Sequence, residues 1–86
     1  MRVGDHEVPL SALEFDLLVL LARHPRHVFS RRQVLEDVWG PHYVGDDRVV
    51  DVHIRSLRQR LGDDASDPVW IGTVRGVGYR FLGGRP

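Results

Sequence analysis

The sequence contains no cysteine, no lysine and no long apolar run. The lack of cysteine excludes disulfides, thiolate metal sites and a cysteine nucleophile. A membrane-spanning helix needs about 20 consecutive apolar residues, whereas the longest apolar stretch here is 17–22. The chain does not open with the pattern of a signal peptide. We therefore expect a cytoplasmic protein whose residues 1–86 form a single domain without membrane association.

Net charge is absent as well, because twelve arginines balance twelve aspartates and glutamates. A nucleic-acid-binding protein usually carries a positive net charge, so the total argues weakly against that class. The charges are nevertheless segregated along the chain. Residues 48–60 hold four arginines and one aspartate, and residues 73–86 hold three unopposed arginines. Attraction to phosphate depends on the local field, so these two segments are the candidates for contact with nucleic acid.

The first third of the chain predicts a hairpin followed by a helix. Strand-forming residues flank the turn dipeptide Gly4-Asp5. Ser11 and Glu14 have the spacing of a capping box, in which each residue satisfies a free backbone N–H of the other. The helix is expected to run to about Arg23, before Pro25. Apolar residues cover most of its circumference, which indicates a central position in the domain.

Two further helices and a second hairpin follow. Ser30 and Gln33 form another capping box, and Gly40-Pro41 ends the helix that it opens. Asp47 is the predicted N-cap of a third helix that ends at Leu61-Gly62. Strand-forming runs at 69–74 and 79–82 are joined by a glycine-containing turn. The predicted order is hairpin, three helices and hairpin, which is an α+β domain.

The third helix has two distinct faces. Its core stripe recurs at i, i+4, i+7 and i+11 and consists of Val50, Ile54, Leu57 and Leu61. The opposite face carries Arg48, Val52, Arg55, Ser56 and Gln59. An α-helix fits the major groove of DNA when its outer face can reach base edges and phosphates. The three long polar side chains could bond to bases, Val52 could meet a thymine methyl, and His53 and Arg58 could reach flanking phosphates.

Two other segments have the chemistry of a DNA contact. The second helix begins with Ser30 and Arg31, and a helix N-terminus attracts phosphate. Arg75 stands beside a Gly-Val-Gly turn that is slender enough for the minor groove. Each feature also has a plain structural interpretation: ordinary helix capping, a turn that requires its glycines, and a solvated charged face on the third helix.

Two blocks of the sequence are specific for a known family: DRVVDVHIRSLRQRL at 47–61 and TVRGVGYRF at 73–81. With Leu13-Glu14-Phe15 and Trp39-Gly40 upstream, they resemble the C-terminal effector domain of OmpR/PhoB-type bacterial response regulators. The resemblance covers about residues 8–82. It implies a winged helix-turn-helix that binds double-stranded DNA sequence-specifically, as the output domain of a two-component transcriptional regulator. The recognition helix would be about 47–61, in the major groove, and the wing about 73–81, in the minor groove.

The resemblance also implies roles for single residues. Phosphate contacts are implied for Arg48, His53, Arg55, Arg58 and, from the wing, Thr73. Entry into the minor groove is implied for Arg75. Some members carry a long basic residue at the position of Ser56, so this serine is a weak base-contacting candidate beside Val52, Arg55 and Gln59. The loop through which some members touch RNA polymerase corresponds to Pro41, His42, Tyr43, Val44, Gly45 and Asp46.

In this family a receiver domain precedes the effector domain. The resemblance therefore implies that residues 1–86 are a fragment of a longer regulator. A sensor kinase would phosphorylate the receiver, which would then pair two copies on tandem direct-repeat half-sites. The short N-terminal sheet departs from the family, whose sheet has more strands. No cofactor and no metal are expected.

Two alternatives belong to other classes. A winged helix that contacts protein instead of DNA agrees with the neutral charge, and it would show no DNA affinity even at low salt. An enzyme would need a constellation such as His24 with His27 or Asp51 with His53. Pro25 separates the first pair, and the second pair lies about 200° apart around a helix that turns about 100° per residue. No phosphate-binding glycine loop or activated nucleophile is present, so catalysis is disfavoured.

Overall fold

The computed structural model describes residues 2–3 and 6–84. The elements follow the predicted order, with one additional strand between the first two helices. They are β1 (Arg2–Val3), β2 (His6–Glu7), α1 (Ala12–Arg23), β3 (Phe29–Ser30), α2 (Arg31–Val34), α3 (Arg48–Leu61), β4 (Ile71–Val74) and β5 (Gly78–Phe81). Strands β1 and β2 pair antiparallel, as the first predicted hairpin requires. The predicted Gly4-Asp5 turn itself lies outside the described residues.

Both predicted capping boxes are confirmed. Glu14 N donates to Ser11 Oγ over 3.1 Å, and Ser11 N donates to Glu14 Oε1 over 2.9 Å. At the start of α2, Gln33 N donates to Ser30 Oγ over 3.1 Å, and Ser30 N donates to Gln33 Oε1 over 3.0 Å. The first turns of both helices are therefore fixed by their own sequence.

The second helix changes its winding before it ends. After α2 the chain continues as a π-helical turn over Leu35–Trp39, and Gly40 N donates to Leu35 O over 3.0 Å. Gly40 ends the turn at a φ of 107°, a conformation that favours glycine. The predicted stop at Gly40 is confirmed, whereas the wider π-helical winding was not predicted.

At the start of α3, the side chain that accepts the capping hydrogen bond differs from the prediction. Asp47 occupies the N-cap position, but its side chain makes no capping hydrogen bond. The acceptor is Asp46, because Arg48 N donates a hydrogen bond to Asp46 Oδ1 over 2.9 Å. The helix ends at Gly62 in the left-handed conformation with a φ of 69°, as the sequence predicted.

A three-stranded antiparallel sheet in the order β3-β5-β4 replaces the simple second hairpin. Phe29 and Thr73 lie on either side of Tyr79 in the register. Strand β3 is two residues long, too short for its alternation to be recognised in the sequence. A Cβ atom at Gly78 would lie 1.8 Å from Phe29 O, so the approach of β3 to β5 requires glycine at this position.

The core lies where the three helices meet the inner face of this sheet. Its fully buried side chains are Leu17, Leu21, Val34, Leu35, Val50, Ile54, Leu57 and Ile71. The predicted core stripe of α3 is thus confirmed for Val50, Ile54 and Leu57, whereas Leu61 is half-buried. Phe15, on the broad apolar band of α1, is exposed instead. None of the described helices is both long and apolar enough to span a bilayer.

Candidate nucleic-acid interface

The outward face of α3 carries side chains that make no polar contact with the rest of the domain. Val52 is 64% exposed although it is apolar. Arg55 and Gln59 are exposed on the same face, and within residues 7–84 their side chains have no hydrogen-bond or ion-pair partner. Base edges in the major groove present hydrogen-bonding atoms and thymine methyl groups, so this face matches them in chemical kind. The base contacts themselves stay predictions.

Arg48 lies at the N-terminal end of α3 and projects into solvent. Its side chain is 83% exposed, and its Nε lies 3.8 Å from Asp46 Oδ2. An exposed ion pair at that distance contributes little, because water screens both charges. The guanidinium is therefore available to a phosphate, and the phosphate contact of Arg48 stays a prediction.

Ser56 does not face outward as the helical pattern suggested. Its Oγ donates to Glu14 Oε2 over 2.6 Å, and the residue is half-buried between α1 and α3. A hydroxyl held by a buried carboxylate is not presented to a base edge. This position is at odds with the predicted base contact of Ser56, and the reason is a partner on α1 that is 42 residues away in the sequence.

Glu14 is the centre of this polar junction. It is 3% exposed and accepts hydrogen bonds from Ser11 and Ser56, while Arg60 Nε lies 3.8 Å from its Oε2. Burial by itself would raise the pKa of Glu14. The hydrogen bonds from Ser56 and Ser11, aided by the charge of Arg60, outweigh burial and hold the pKa below its ordinary value. The junction therefore contains a carboxylate that ties α1 to α3.

Arg58 is directed into the domain and is only 9% exposed. Its Nη2 donates to Ile71 O over 2.9 Å and to Thr73 Oγ1 over 2.7 Å, and its Cζ lies 5.7 Å from the centre of the Tyr79 ring. The buried Nε of Arg58 has no partner among the described residues. Both predicted phosphate contacts, Arg58 and Thr73, are thus bonded to each other. Because the guanidinium is buried, this position is at odds with a direct phosphate contact by Arg58.

His53 is half-buried against the C-terminal end of the π-helical turn. Its Nδ1 lies 2.8 Å from Val49 O, and its ring meets Trp39 edge to face at 5.2 Å. A carbonyl oxygen only accepts, so Nδ1 carries the proton of this hydrogen bond. A phosphate contact by His53 would therefore have to be made by Nε2, and it stays a prediction.

A cleft of about 320 Å³ lies between the wing and the helices. Its lining residues are Ser30, Arg31, Arg32, Asp47, Thr73, Val74, Gly76, Val77, Gly78 and Tyr79. The start of α2, the start of α3 and the second hairpin thus all contribute to the walls of the cleft. The structure brings together the segments that the sequence suggested separately for phosphate and for the minor groove. Ser30 Oγ accepts its capping bond but retains a hydroxyl proton to donate.

Asp51 organises the wall of this cleft. Arg31 Nε donates to Asp51 Oδ1 over 3.0 Å, Arg31 Nη2 lies 2.8 Å from Oδ2, and Tyr79 OH donates to Oδ1 over 2.5 Å. Burial, with the hydrogen bond to Asp51 and its negative charge, raises the pKa of Tyr79 to about 12. The sequence pattern indicates Asp51 only as a disfavoured metal or acid–base partner of His53. A signal for its structural role is nevertheless present, because Asp51 is the single acidic residue of α3 among four arginines.

The wing presents one arginine at its tip. Val77 N donates to Val74 O over 2.9 Å and closes the turn, in which Gly76 has a φ of 76°. Arg75 and Val77 are exposed, and the Arg75 side chain has no polar partner within residues 7–84. Without such a partner, the guanidinium is available at the end of a narrow hairpin. Its entry into the minor groove stays a prediction.

The loop of residues 41–46 is held at one point. The Tyr43 ring lies 6.3 Å from that of Trp39 and is half-buried, whereas Val44 is 94% exposed. The remaining residues of the predicted polymerase-contact loop, Pro41, His42, Gly45 and Asp46, are exposed. The loop therefore displays an apolar side chain on an anchored base.

The residues considered for metal binding do not assemble. Across residues 7–84, no group of three or more histidine, aspartate or glutamate side chains is placed to hold a metal ion. The rings of His24 and His27 lie 6.3 Å apart, and both pack on Phe29. Asp51 and His53 have separate partners, as described above.

The sequence matches a family of known proteins over most of its length. The family described as "Transcriptional regulatory protein, C terminal" matches residues 5–81. The alkaline phosphatase synthesis transcriptional regulatory protein SphR of Synechococcus elongatus is 51% identical over 79 residues, which is 92% of this chain and 31% of SphR. The chain thus spans about a third of the length of the curated relatives it matches.

Solved structures share the fold. The DNA-binding domain of RstA from Klebsiella pneumoniae, crystallised in complex with the RstA box, superposes with a TM-score of 0.79 at 44% identity. That match covers 86% of this chain and 73% of the RstA chain. The response regulator DrrB of Thermotoga maritima, an OmpR/PhoB homologue, has a TM-score of 0.78 at 37% identity, over 87% of this chain and 34% of DrrB. The fold is the winged helix-turn-helix that the sequence predicted.

Proposed function

Since this chain belongs to the family of transcriptional regulatory C-terminal domains of the OmpR/PhoB type, we propose that it binds double-stranded DNA sequence-specifically. One observation carries the proposal. The exposed face of α3 holds Val52 beside the unpaired side chains of Arg55 and Gln59, and a cleft joins the start of this helix to the wing that carries Arg75. Helix and hairpin form a surface that can follow a duplex across adjacent grooves.

We assign base reading in the major groove to Val52, Arg55 and Gln59. Arg55 has the donor geometry for guanine and Gln59 that for adenine, while Val52 suits a thymine methyl. Arg75 is the minor-groove side chain, since arginine is favoured where that groove narrows.

The phosphate contacts surround this face. We assign them to the guanidinium groups of Arg48 and Arg31. Ser30 would add a hydroxyl donor, and His53 would contribute through its Nε2 atom. Arg58 and Thr73, which sequence reasoning included, act indirectly in this proposal because they hold the wing strand β4 against α3. Ser56 is likewise assigned to the junction with Glu14.

The setting of the domain is proposed from its relatives. We propose that it is the output domain of a longer bacterial regulator in the cytoplasm, and that it acts by binding and not by catalysis. A phosphorylated receiver domain, supplied by a sensor kinase, would place two copies on tandem direct repeats. The anchored loop with Val44 at its surface is the segment proposed to meet RNA polymerase.

The test is binding of this chain to a random pool of duplex DNA, followed by sequencing of the retained fraction. Affinity measured by fluorescence anisotropy should fall as salt is added, with a log–log slope of about −0.9 for each phosphate that an arginine neutralises. An enriched motif with an A·T-rich flank on the wing side is expected. Absence of binding even at low salt would overturn the proposal and favour a winged helix that contacts protein.

A further inference from the structure

Asp51 is a negative charge in an unfavourable place for a DNA-binding surface. It is the only acidic residue of α3 and lies between arginines of the segment proposed to approach DNA. Its side chain remains 32% exposed. Elementary electrostatics would make such a carboxylate a liability near phosphate, so its presence requires a compensating role.

The contacts of Asp51 join three elements. Arg31 from α2 pairs with both carboxylate oxygens, at 3.0 and 2.8 Å, and Tyr79 from β5 donates to one of them at 2.5 Å. A bidentate pair fixes the plane of the guanidinium as well as its position. Asp51 thus determines how Arg31 is directed and how β5 sits against α3.

The ion pair with Asp51 leaves some of the N–H donors of Arg31 unused. The guanidinium has five N–H donors in a fixed fork, and Asp51 occupies the edge formed by Nε and Nη2. The Nη1 group and the second Nη2 hydrogen are left for another acceptor. Arg31 is 48% exposed and lines the cleft beside Ser30 and Thr73. A second anion can therefore bind while the first pair stays intact.

We propose that Asp51 is a positioning residue that presents Arg31 to a phosphate of the DNA backbone. Through Tyr79 the same carboxylate holds the wing in register with the recognition helix. The inference rests on the proposed DNA-binding function and deepens it. It has an unusual consequence: removing a negative charge from the DNA-facing surface should weaken binding, opposite to the effect expected of charge alone.

The first test compares Asp51→Asn with Asp47→Asn. Asp47 lines the same cleft and acts on Arg31 through its charge, without an ion pair that directs the guanidinium, so it is a matched control for the loss of one negative charge. Binding of each variant to the selected duplex is measured over a range of salt. We expect Asp47→Asn to bind as tightly as the unmodified chain or more tightly. Asp51→Asn should bind about tenfold more weakly, the size of one lost charge-assisted hydrogen bond.

The salt dependence separates positioning from general damage. If Arg31 no longer meets its phosphate, the log–log slope of Asp51→Asn should shrink by about 0.9, the value for one contact. In an Arg31→Ala background, Asp51→Asn should leave the log–log slope unchanged, and any further loss of affinity there reports the contact of Asp51 with Tyr79. Asp51→Asn that binds as tightly as the unmodified chain would overturn the inference.

A second pair of variants keeps the test valid if Asp51→Asn folds poorly. Arg31→Lys retains the charge at a half-exposed position but cannot pair in bidentate fashion while donating to phosphate. Arg32→Lys is the control, since the Arg32 side chain has no polar partner within residues 7–84. We expect Arg31→Lys alone to lose about fivefold or more in affinity, part of one charge-assisted hydrogen bond. Equal affinities of the two lysine variants would overturn the inference, whereas an unmodified chain without DNA affinity would overturn the proposed function itself.

Discussion

Two arginines three residues apart on α3 have opposite surroundings. Arg55 is exposed and its side chain has no polar partner within residues 7–84. Arg58 is 9% exposed, bonds to Ile71 O and Thr73 Oγ1 and lies over the ring of Tyr79. The difference shows that a count of arginines on a helix does not count its DNA contacts. Strand β4 supplies both acceptors that draw Arg58 inward.

The same contrast recurs with uncharged side chains. Ser56 donates to the buried carboxylate of Glu14, whereas Gln59, three residues later, is exposed and without a side-chain partner among the described residues. One edge of α3 is therefore structural and the other is available for binding.

The largest effect is expected at the core stripe itself. Leu57 is fully buried on α3, so Leu57→Ala should lower the free energy of unfolding by about 2–5 kcal/mol through lost contacts and a cavity. Urea denaturation followed by circular dichroism measures it. Val52→Ala on the opposite face is the control and should change stability by less than about 0.5 kcal/mol. Similar losses for both variants would mean that the two faces of α3 are wrongly assigned.

The two arginines should separate stability from binding. Arg58→Met preserves the aliphatic stem but leaves Ile71 O and Thr73 Oγ1 without their donor, so it should destabilise by about 1–3 kcal/mol. Arg55→Met should leave stability within about 0.5 kcal/mol and weaken binding to the selected duplex by about 1–3 kcal/mol with relaxed base preference. Thermal unfolding and fluorescence anisotropy on both variants check the pair. The reverse pattern would contradict the assignment.

The uncharged pair should repeat this behaviour on a smaller scale. Ser56→Ala removes the hydrogen bond to Glu14 and should destabilise by about 0.5–1.5 kcal/mol, with base preference unchanged. Gln59→Ala should alter the enriched sequence while stability stays within about 0.5 kcal/mol. Selection from the random pool and urea denaturation provide the two measurements. A changed base preference for Ser56→Ala would return this serine to the base-reading face.

The smallest effect is expected on the pH dependence of stability, through protonation of Glu14 in acid. The hydrogen bonds of Ser56 and Ser11 hold the pKa of folded Glu14 below 4.5, its ordinary value. The carboxylate therefore stabilises the fold fully above pH 4.5, and this contribution is lost as the pH falls through the lower pKa of the folded state. Unfolding measured from pH 7 down to acid should show a shallower loss for Glu14→Gln than for the unmodified chain. Asp16→Asn, which removes an exposed carboxylate from the same helix, is the control and should retain the original slope.

Local signals in the sequence predicted the parts of the fold that depend on neighbours along the chain. The capping boxes at Ser11 and Ser30 bond across three residues, and the ends of the helices at Gly40 and Gly62 depend on backbone freedom at one position. Each requires only chemistry within one helical turn, so the spacing of residue types was sufficient.

The site was predicted in part for the same reason. The faces of α3 follow from a regular 3.6-residue period, and Val52, Arg55 and Gln59 lie where that period directs them. Arg58 and Ser56 lie at the boundary between faces. Partners on β4 and α1, 15 and 42 residues away, decide which way these two side chains turn.

By itself, then, the sequence determined the order of elements, the caps, the core stripe of α3 and the family of the domain. Tertiary structure alone decided the pairing of β3 with β5, the inward turn of Arg58 and the contacts by which Asp51 joins Arg31 to Tyr79. The physical reason is that a buried polar group takes whichever partner packing brings within about 3 Å. Spacing along a chain encodes helical period and turn chemistry, but that closeness exists only after the helices and the wing have packed.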